Sequence, residues 1–250
     1  NWLPTMSSQV YCYICKLLKY MKYFATVFLI LSTAFYAHSQ TYEIGGMIGG
    51  ANYIGDVGKT NFINPNSFAV GGIFKWNRSA RHAFRGSVLI ANIKGDDSKS
   101  PNSRRKQRGY SFENTVKELS IGIEYTFWDF DVHSQKAIST PYLYTGLTGF
   151  SYTALRKRAN GQIVEYDNAS SIAIPMVVGF KANMGQNAMV GFEIGARYTF
   201  TDDLDGSNPV KGLADDEGLK FGNTNSDDWY VFTGITVTFA FGRKPCYCNF

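Results

Sequence analysis

Eight charged side chains recur on alternate positions of stretches that otherwise hold apolar residues, glycine, serine and threonine. Carboxylates in such a setting could do acid–base chemistry or form ion pairs. Because four of the eight are acids and four are bases, we expect them to pair with one another, as buried charges generally must. These residues are Glu43, Lys75, Arg85, Glu118, Glu124, Lys181, Glu193 and Arg197.

The stretches that carry these charges alternate between apolar and polar residues, which is typical of β-strands with two different faces. The clearest are Trp229–Phe241, Ala188–Phe200 and Lys117–Phe127. Each strand is about 9–13 residues long, the length of a tilted strand that crosses a membrane, and an even number is expected of a bacterial barrel. Five further segments complete a set of eight: Tyr42–Tyr53, Phe68–Trp76, His82–Ile93, Pro141–Tyr152 and Ile172–Met184.

The connections between the predicted strands alternate in length. Short ones follow the second, fourth and sixth strands: Asn77–Arg81, Trp128–Thr140 and Gly185–Asn187. Long polar ones follow the others: Ile54–Ser67, Lys94–Val116, Thr153–Ser171 and Thr201–Asp228. Short periplasmic turns and long outer loops are the pattern of outer-membrane barrels. The pattern therefore predicts that both termini of the barrel face the periplasm.

The chemistry of the two strand faces distinguishes a membrane barrel from a soluble one. A soluble barrel is apolar inside, whereas here the charges share a face with glycine, serine and threonine. An eight-stranded barrel is just wide enough for side chains to fill it. We therefore predict an all-β fold over residues 41–242, an eight-stranded antiparallel transmembrane β-barrel with a filled, charged lumen and a lipid-facing apolar belt. Aromatic residues form the expected girdles, with Trp76, Phe127, Phe239 and Phe241 at the inner rim and Tyr198, Phe200 and Trp229 at the outer rim. A soluble two-sheet sandwich would also alternate, but it would not explain the loop lengths or the balanced charges.

The N-terminal 40 residues have the composition of a leader. After Met21 come Lys22, the apolar run Phe24–Phe35 and the small-residue box Ala37-His38-Ser39, as in a secretory signal peptide. A retained signal anchor is the alternative. Because the sequence begins with Asn1, we expect residues 1–20 to be an upstream extension. Loss of residues 1–40 lowers the net charge of +5 by three, so the basic pI predicts no nucleic-acid partner.

The chain shows no convincing catalytic, cofactor or metal site. After residue 40 the only histidines are His82 and His133, in short connections far from the outer rim where outer-membrane enzymes need histidine or serine. We expect no enzyme and no cofactor. The tail 243–250 is predicted to be periplasmic, and its Cys246 and Cys248 could bind metal or bridge to a partner. The candidate partner contacts are His82, His133, Cys246 and Cys248.

Two outer loops carry opposite charge. The segment 94–108 is basic, and the segment 201–228 holds a series of aspartates. Solvated loops, with salt bridges between them, are one interpretation. A divalent-cation or lipopolysaccharide contact is another, and Asp203-Leu204-Asp205-Gly206 partly resembles a calcium loop.

Several strings resemble the PorG family of outer-membrane proteins. They are Asn52-Tyr53-Ile54-Gly55-Asp56, Gly95-Asp96-Asp97, the long string from Phe192 to Asp205, and Asp228-Trp229-Tyr230-Val231-Phe232-Thr233-Gly234. The seventh-strand string, FEIGARYTFTDDLD, is the most specific. The resemblance covers about residues 41–242.

The resemblance implies a non-enzymatic part in the type IX protein secretion system, which also supports gliding motility in some Bacteroidetes. It implies as partners a periplasmic ring of a lipoprotein and a second subunit, PorK and PorN, beside the lipids of the outer membrane. On this hypothesis the periplasmic turns and tail meet the ring. The alternative is a barrel like OmpA or OmpX whose outer loops bind surface ligands.

Overall fold

The computed structural model describes residues 41–242, except for 135, 186, 211 and 224. The predicted leader, 1–40, and the tail that carries Cys246 and Cys248 lie outside the described residues. Among the residues described, no helix has the length and apolar character needed to cross a membrane.

Eight antiparallel strands close into one ring in which each strand pairs with its neighbours in the chain. Strand β8 closes against β1, with a register that runs from Thr41 opposite Gly242 to Ile54 opposite Trp229. This ring confirms the predicted fold class. The strands are β1 (Thr41–Ile54), β2 (Ser67–Asn77), β3 (His82–Asp96), β4 (Ser111–Thr126), β5 (Ser139–Lys157), β6 (Ile163–Asn183), β7 (Ala188–Thr199) and β8 (Trp229–Gly242).

The period of two in the sequence places polar residues inside the ring and apolar residues outside. On β3, Arg85 and Ser87 are only 2% and 5% exposed, whereas Val88 and Ile90 are more than half exposed; Leu89 is an apolar exception on the inward face. A closed sheet satisfies its backbone hydrogen bonds internally, and an apolar outer surface suits lipid rather than water. We call the end of the barrel that carries Thr41 and Gly242 the inner end and the opposite end the outer end, after the orientation predicted from the loop lengths. At the outer end, the rings of Tyr198 and Trp229 are 5.0 Å apart.

Four strands extend three or more residues beyond the prediction, among them β3, which ends at Asp96 rather than Ile93. Strand β4 begins at Ser111 rather than Lys117, β5 ends at Lys157 rather than Tyr152, and β6 begins at Ile163 rather than Ile172. The two long loops that we predicted there shrink to residues 97–110 and 158–162. The prediction failed because these strand ends have no apolar outward face, although their backbone pairing continues.

The shortened loop 97–110 is itself structured. It contains a 3-10 turn, Asp97–Lys99, and one short helix, α1 (Ser103–Arg108). Asn102 caps α1 by accepting a hydrogen bond from the Arg104 amide, and Gly109 ends it in a left-handed conformation. This connection is therefore ordered by its own hydrogen bonds.

Candidate functional site

The centre of the lumen is organised around the carboxylate of Glu124 on β4, which is fully buried. Lys75 on β2 and Lys181 on β6 donate hydrogen bonds to its Oε1, at 2.9 and 2.8 Å. Arg85 on β3 approaches its Oε2 at 3.6 Å. One acid thus joins three bases, which requires further acids nearby to balance the charge.

A second ion pair crosses the lumen between β3 and β7. The Arg85 guanidinium donates two parallel hydrogen bonds to Glu193, at 2.8 and 2.9 Å. The Tyr142 hydroxyl donates a third hydrogen bond to Glu193 at 2.7 Å. Bidentate pairing fixes the orientation as well as the charge, so this contact holds β3 and β7 at a defined separation.

The remaining carboxylates of the set are also hydrogen-bonded. Arg197 donates to both oxygens of Glu118, at 3.1 and 2.9 Å, and the Tyr230 hydroxyl donates to Glu118 at 2.7 Å. Glu43 accepts hydrogen bonds of 2.8 Å from the Asn77 amide and from the Thr238 hydroxyl.

All eight residues of the predicted charge set lie in the lumen and are buried. Four carboxylates and four cations make the set neutral as a whole, and every carboxylate has at least two hydrogen-bond donors. A carboxylate held in this way is a poor general base, because its lone pairs are already in use. Two glycines make room for the set, since a Cβ atom at Gly179 would collide with Tyr142 and one at Gly195 with Arg197.

The inner mouth of the barrel is covered by the connection between β4 and β5. Phe130 and Val132 are buried there against Met189 and Ala240. The Lys181 ammonium lies 4.7 Å from the centre of the Phe130 ring, so this ring closes directly onto the charge network. The outer mouth is covered by a larger apolar cluster in which Leu204 is fully buried.

Sequence reasoning missed Tyr142, Tyr230 and the Phe130 cap. The two tyrosines stand on the lumen parity of β5 and β8, so the alternation already contained their signal. Phe130 and Val132 themselves alternate within a segment that we interpreted as a plain turn.

The two candidate histidines lie at the inner end of the barrel. His82 begins β3, is exposed, and has its Nδ1 3.2 Å from the Ser79 hydroxyl. His133 lies in the connection between β4 and β5, with Nε2 3.3 Å from the Thr41 hydroxyl. Neither contacts the lumen charges in the described part of the chain.

Four aspartates of the last outer loop are buried rather than solvated, namely Asp202, Asp203, Asp205 and Asp228, whereas Asp215 and Asp216 are exposed as one of our interpretations had it. Asp205 accepts hydrogen bonds from the amides of Val57 and Ser207, at 3.0 and 2.9 Å. Asp228 accepts one from the Leu204 amide at 3.0 Å and one from the Tyr53 hydroxyl. These aspartates therefore pin the loop that covers the outer mouth.

Asp202 and Asp203 are buried beside them. Burial and the neighbouring carboxylates raise the pKa of each to about 8. Neither oxygen of Asp203 meets a hydrogen-bond donor in the described part of the chain. Among the described residues, neither Asp202 nor Asp203 forms a salt bridge with the basic segment 94–108. Arg108 of that segment pairs with Asp97 at 2.8 Å. No three acidic, histidine or cysteine side chains among the described residues are arranged to hold a metal ion.

Several solved structures of small outer-membrane proteins are similar to this chain. Neisserial surface protein A (NspA) is 10% identical with a TM-score of 0.44, over 81% of this chain and 97% of that one. A major outer membrane protein from Thermus thermophilus is 14% identical with a TM-score of 0.42, over 82% and 100%. Ail of Yersinia pestis, in complex with the heparin analogue sucrose octasulfate, is 9% identical with a TM-score of 0.40, over 82% and 99%.

Among curated protein sequences, none matches this chain. The sequence model of one family, described as "Domain of unknown function (DUF6089)", matches residues 21–250. That match spans the whole barrel and most of the rest of the chain. The chain therefore belongs to the DUF6089 family.

Proposed function

We propose that the protein is a non-enzymatic component of the outer membrane that anchors a periplasmic ring of the type IX secretion machinery, in the manner of the PorG family. The observation that carries the proposal is the sealed lumen. A neutral network of ion pairs fills its centre, and apolar side chains cover both mouths. Within its described residues, such a barrel offers neither an open channel nor a reactive group, which supports a function carried by its surface.

The inner rim suits the role of a docking surface. The turn between β2 and β3 presents Arg78 and Arg81, both exposed. Arg81 forms a 2.6 Å salt bridge with Asp129 of the neighbouring connection, which ties the two inner turns together. Two turns held in a fixed relation make a firm surface for a partner, because little conformational entropy is lost on binding.

One matched pair of variants tests which end of the barrel is needed for secretion. Arg78 and Arg158 are both exposed arginines, and each lies in a tight turn, between β2 and β3 and between β5 and β6 respectively. We expect Arg78→Glu to reduce type IX secretion and the recovery of ring subunits in a mild-detergent pulldown. Arg158→Glu, with the same charge change at the opposite end, should leave both unchanged.

The reverse pattern, in which only Arg158→Glu impairs secretion, would contradict the proposal. Equal barrel levels in the membrane, measured by heat-modifiable gel migration, show that neither variant acts through folding. Deletion of residues 243–250 provides a second test at the same end, with the same expected loss.

A second candidate is a barrel whose outer end binds surface ligands. It is favoured by an open pocket of about 550 Å³ among the outer loops, whose lining includes Lys59, Lys94 and Lys99. The isolation of a monomer without ring subunits, together with a phenotype only for outer-end variants, would favour this candidate.

A further inference from the structure

A lysine interrupts the lipid-facing wall of the barrel. Lys117 on β4 is exposed and shares the outward face of the strand with Leu119, Ile121 and Ile123. Those three side chains are 61, 62 and 49% exposed, as expected of an apolar belt. Lys117 lies beyond them, on the side of the outer loops. It forms no ion pair in the described part of the chain.

The height of Lys117 on the wall matches the level of lipid headgroups. Ten residues of β4 and its end separate it from Phe127 at the inner rim. At a rise of about 3.3 Å per residue and a tilt of about 40°, they span about 25 Å along the barrel axis. That is about the height of the apolar band of an outer-membrane barrel. The ammonium therefore lies where the acyl chains end and phosphates begin.

Polar side chains lie at the same height as Lys117 on the next two strands, β5 and β6. Ser151 on β5 lies opposite Lys117, and Ser170 on β6 lies opposite Ser151. Both serines are exposed, and neither hydroxyl makes a hydrogen bond among the described residues. With strands about 4.8 Å apart, the row of one cation and two hydroxyls is about 10 Å wide. We call it the Lys117 row.

Two apolar grooves run below and beside this row. In the next row down, Gly149 lies between Leu119 and Ile172, and a Cβ atom at Gly149 would meet nothing within 4 Å. The groove there measures about 790 Å³. A second groove, of about 390 Å³, lies on the other side of Lys117 along Val88 and Ile90. Both open onto the lipid-facing surface.

We propose that the Lys117 row and its two grooves bind a phosphorylated glycolipid of the outer leaflet. The phosphate contacts the Lys117 ammonium, sugar hydroxyls contact Ser151 and Ser170, and acyl chains occupy the two grooves. The row is wider than a single phosphate group, and grooves on both sides of the cation suit a lipid with several chains. This inference uses the orientation proposed above, with the long loops outside, but not the secretion role.

The test is native mass spectrometry of the full chain in a non-ionic detergent, with lipid A and phosphatidylglycerol as the added lipids. We expect a clear preference for lipid A. Lys117→Gln should weaken lipid A binding about tenfold, because one charge-assisted contact is lost. Gly149→Leu fills the larger groove with an apolar side chain, which is compatible with the lipid-facing surface. It should also weaken lipid A binding.

Lys94→Gln is the matched control. Lys94 is also exposed, but it lies opposite the carboxylate of Glu113 and further from the apolar belt. We expect it to leave lipid A binding unchanged, with all variants folded by heat-modifiable migration. The inference is overturned by failure to retain lipid A, by equal binding of phosphatidylglycerol, or by equal effects of Lys117→Gln and Lys94→Gln. Because the assay contains no ring subunits, its outcome is independent of the secretion role.

Discussion

The lumen and the outer mouth both bury carboxylates, but they stabilise them in opposite ways. In the lumen, Glu118, Glu124 and Glu193 each meet a lysine or arginine within 2.9 Å. At the outer mouth, Asp205 and Asp228 accept hydrogen bonds from backbone amides and hydroxyls, with no base in the described contacts. The lumen is neutral through ion pairs, whereas the outer mouth keeps its acids near one another.

The difference separates two kinds of stability. Ion pairs between strands hold a rigid ring whose stability depends little on pH near neutrality. Carboxylates crowded without bases take up protons instead, so their stability depends on pH. The lumen is therefore a scaffold whose stability is nearly constant with pH, whereas the loop that covers the outer mouth has a stability that depends on pH.

The largest effect is expected at the centre of the lumen. Glu124→Gln leaves Lys75 and Lys181 buried without their carboxylate, and breaking a buried ion pair in this way costs about 3–5 kcal/mol. Urea unfolding in detergent micelles measures the loss. Glu113→Gln, on the exposed face of the same strand, should change the free energy of unfolding by less than about 0.5 kcal/mol. A similarly small change in the free energy of unfolding for Glu124→Gln would mean that the charge network does not stabilise the barrel.

A smaller and local effect is expected at the outer mouth. Asp228→Asn weakens the hydrogen bonds from the Leu204 amide and the Tyr53 hydroxyl, at a cost of about 1–3 kcal/mol. Hydrogen exchange should therefore speed up at the Leu204 amide while the amides of β3 and β4 stay protected. Asp215→Asn, in the exposed part of the same loop, is the control. Faster exchange throughout the strands of the barrel would contradict the prediction that the outer loop opens independently of the barrel.

A third effect, on the pH dependence of the outer mouth, concerns Asp202 and Asp203. Their pKa values in the folded protein are about 8, far above that of an aspartate in an unfolded chain. The folded state holds protons that the unfolded state releases, so the loop that covers the outer mouth loses stability as the pH rises from about 4 through 8. Carbon-13 carboxyl titration by NMR measures the two pKa values directly. The double variant Asp202→Asn, Asp203→Asn should reduce the pH dependence of loop proteolysis, and the raised pKa of Asp228 should leave part of it. Titration of Asp202 and Asp203 near pH 4 would refute the prediction.

The alternation of residue types was enough to predict the strands, their number and the faces they present. It succeeded because the side-chain period is two wherever one face meets lipid and the other the lumen. It failed at Ser111 and Ile163, where the outward face of the strands becomes polar and apolar residues such as Phe112 and Val116 face inward. Strand ends outside the membrane depend on backbone pairing between partners, which a single strand's sequence does not reveal.

Lumen placement was predictable, but the choice of partners was not. The parity of Glu118 and Arg197 puts both inside the ring, yet their contact depends on the stagger between β4 and β7, three strands apart. The buried aspartates were harder still. Nothing in the segment 202–205 marks it as buried, because its partners, such as the Val57 amide, are backbone groups nearly 150 residues away.

The closest ion pairs of the lumen join strands that are not neighbours in the ring. Glu124 links β4 to β2 and β6, Arg85 links β3 to β7, and Arg197 links β7 to β4. Such contacts act as cross-braces, and they form only after the sheet has curled far enough for opposite walls to face each other. Insertion should therefore pass through an open sheet with its charges still in water, followed by one concerted closure. Once the barrel is closed, separation of β1 from β8 is unfavourable, because opening the ring there would break several of these ion pairs across the lumen at once.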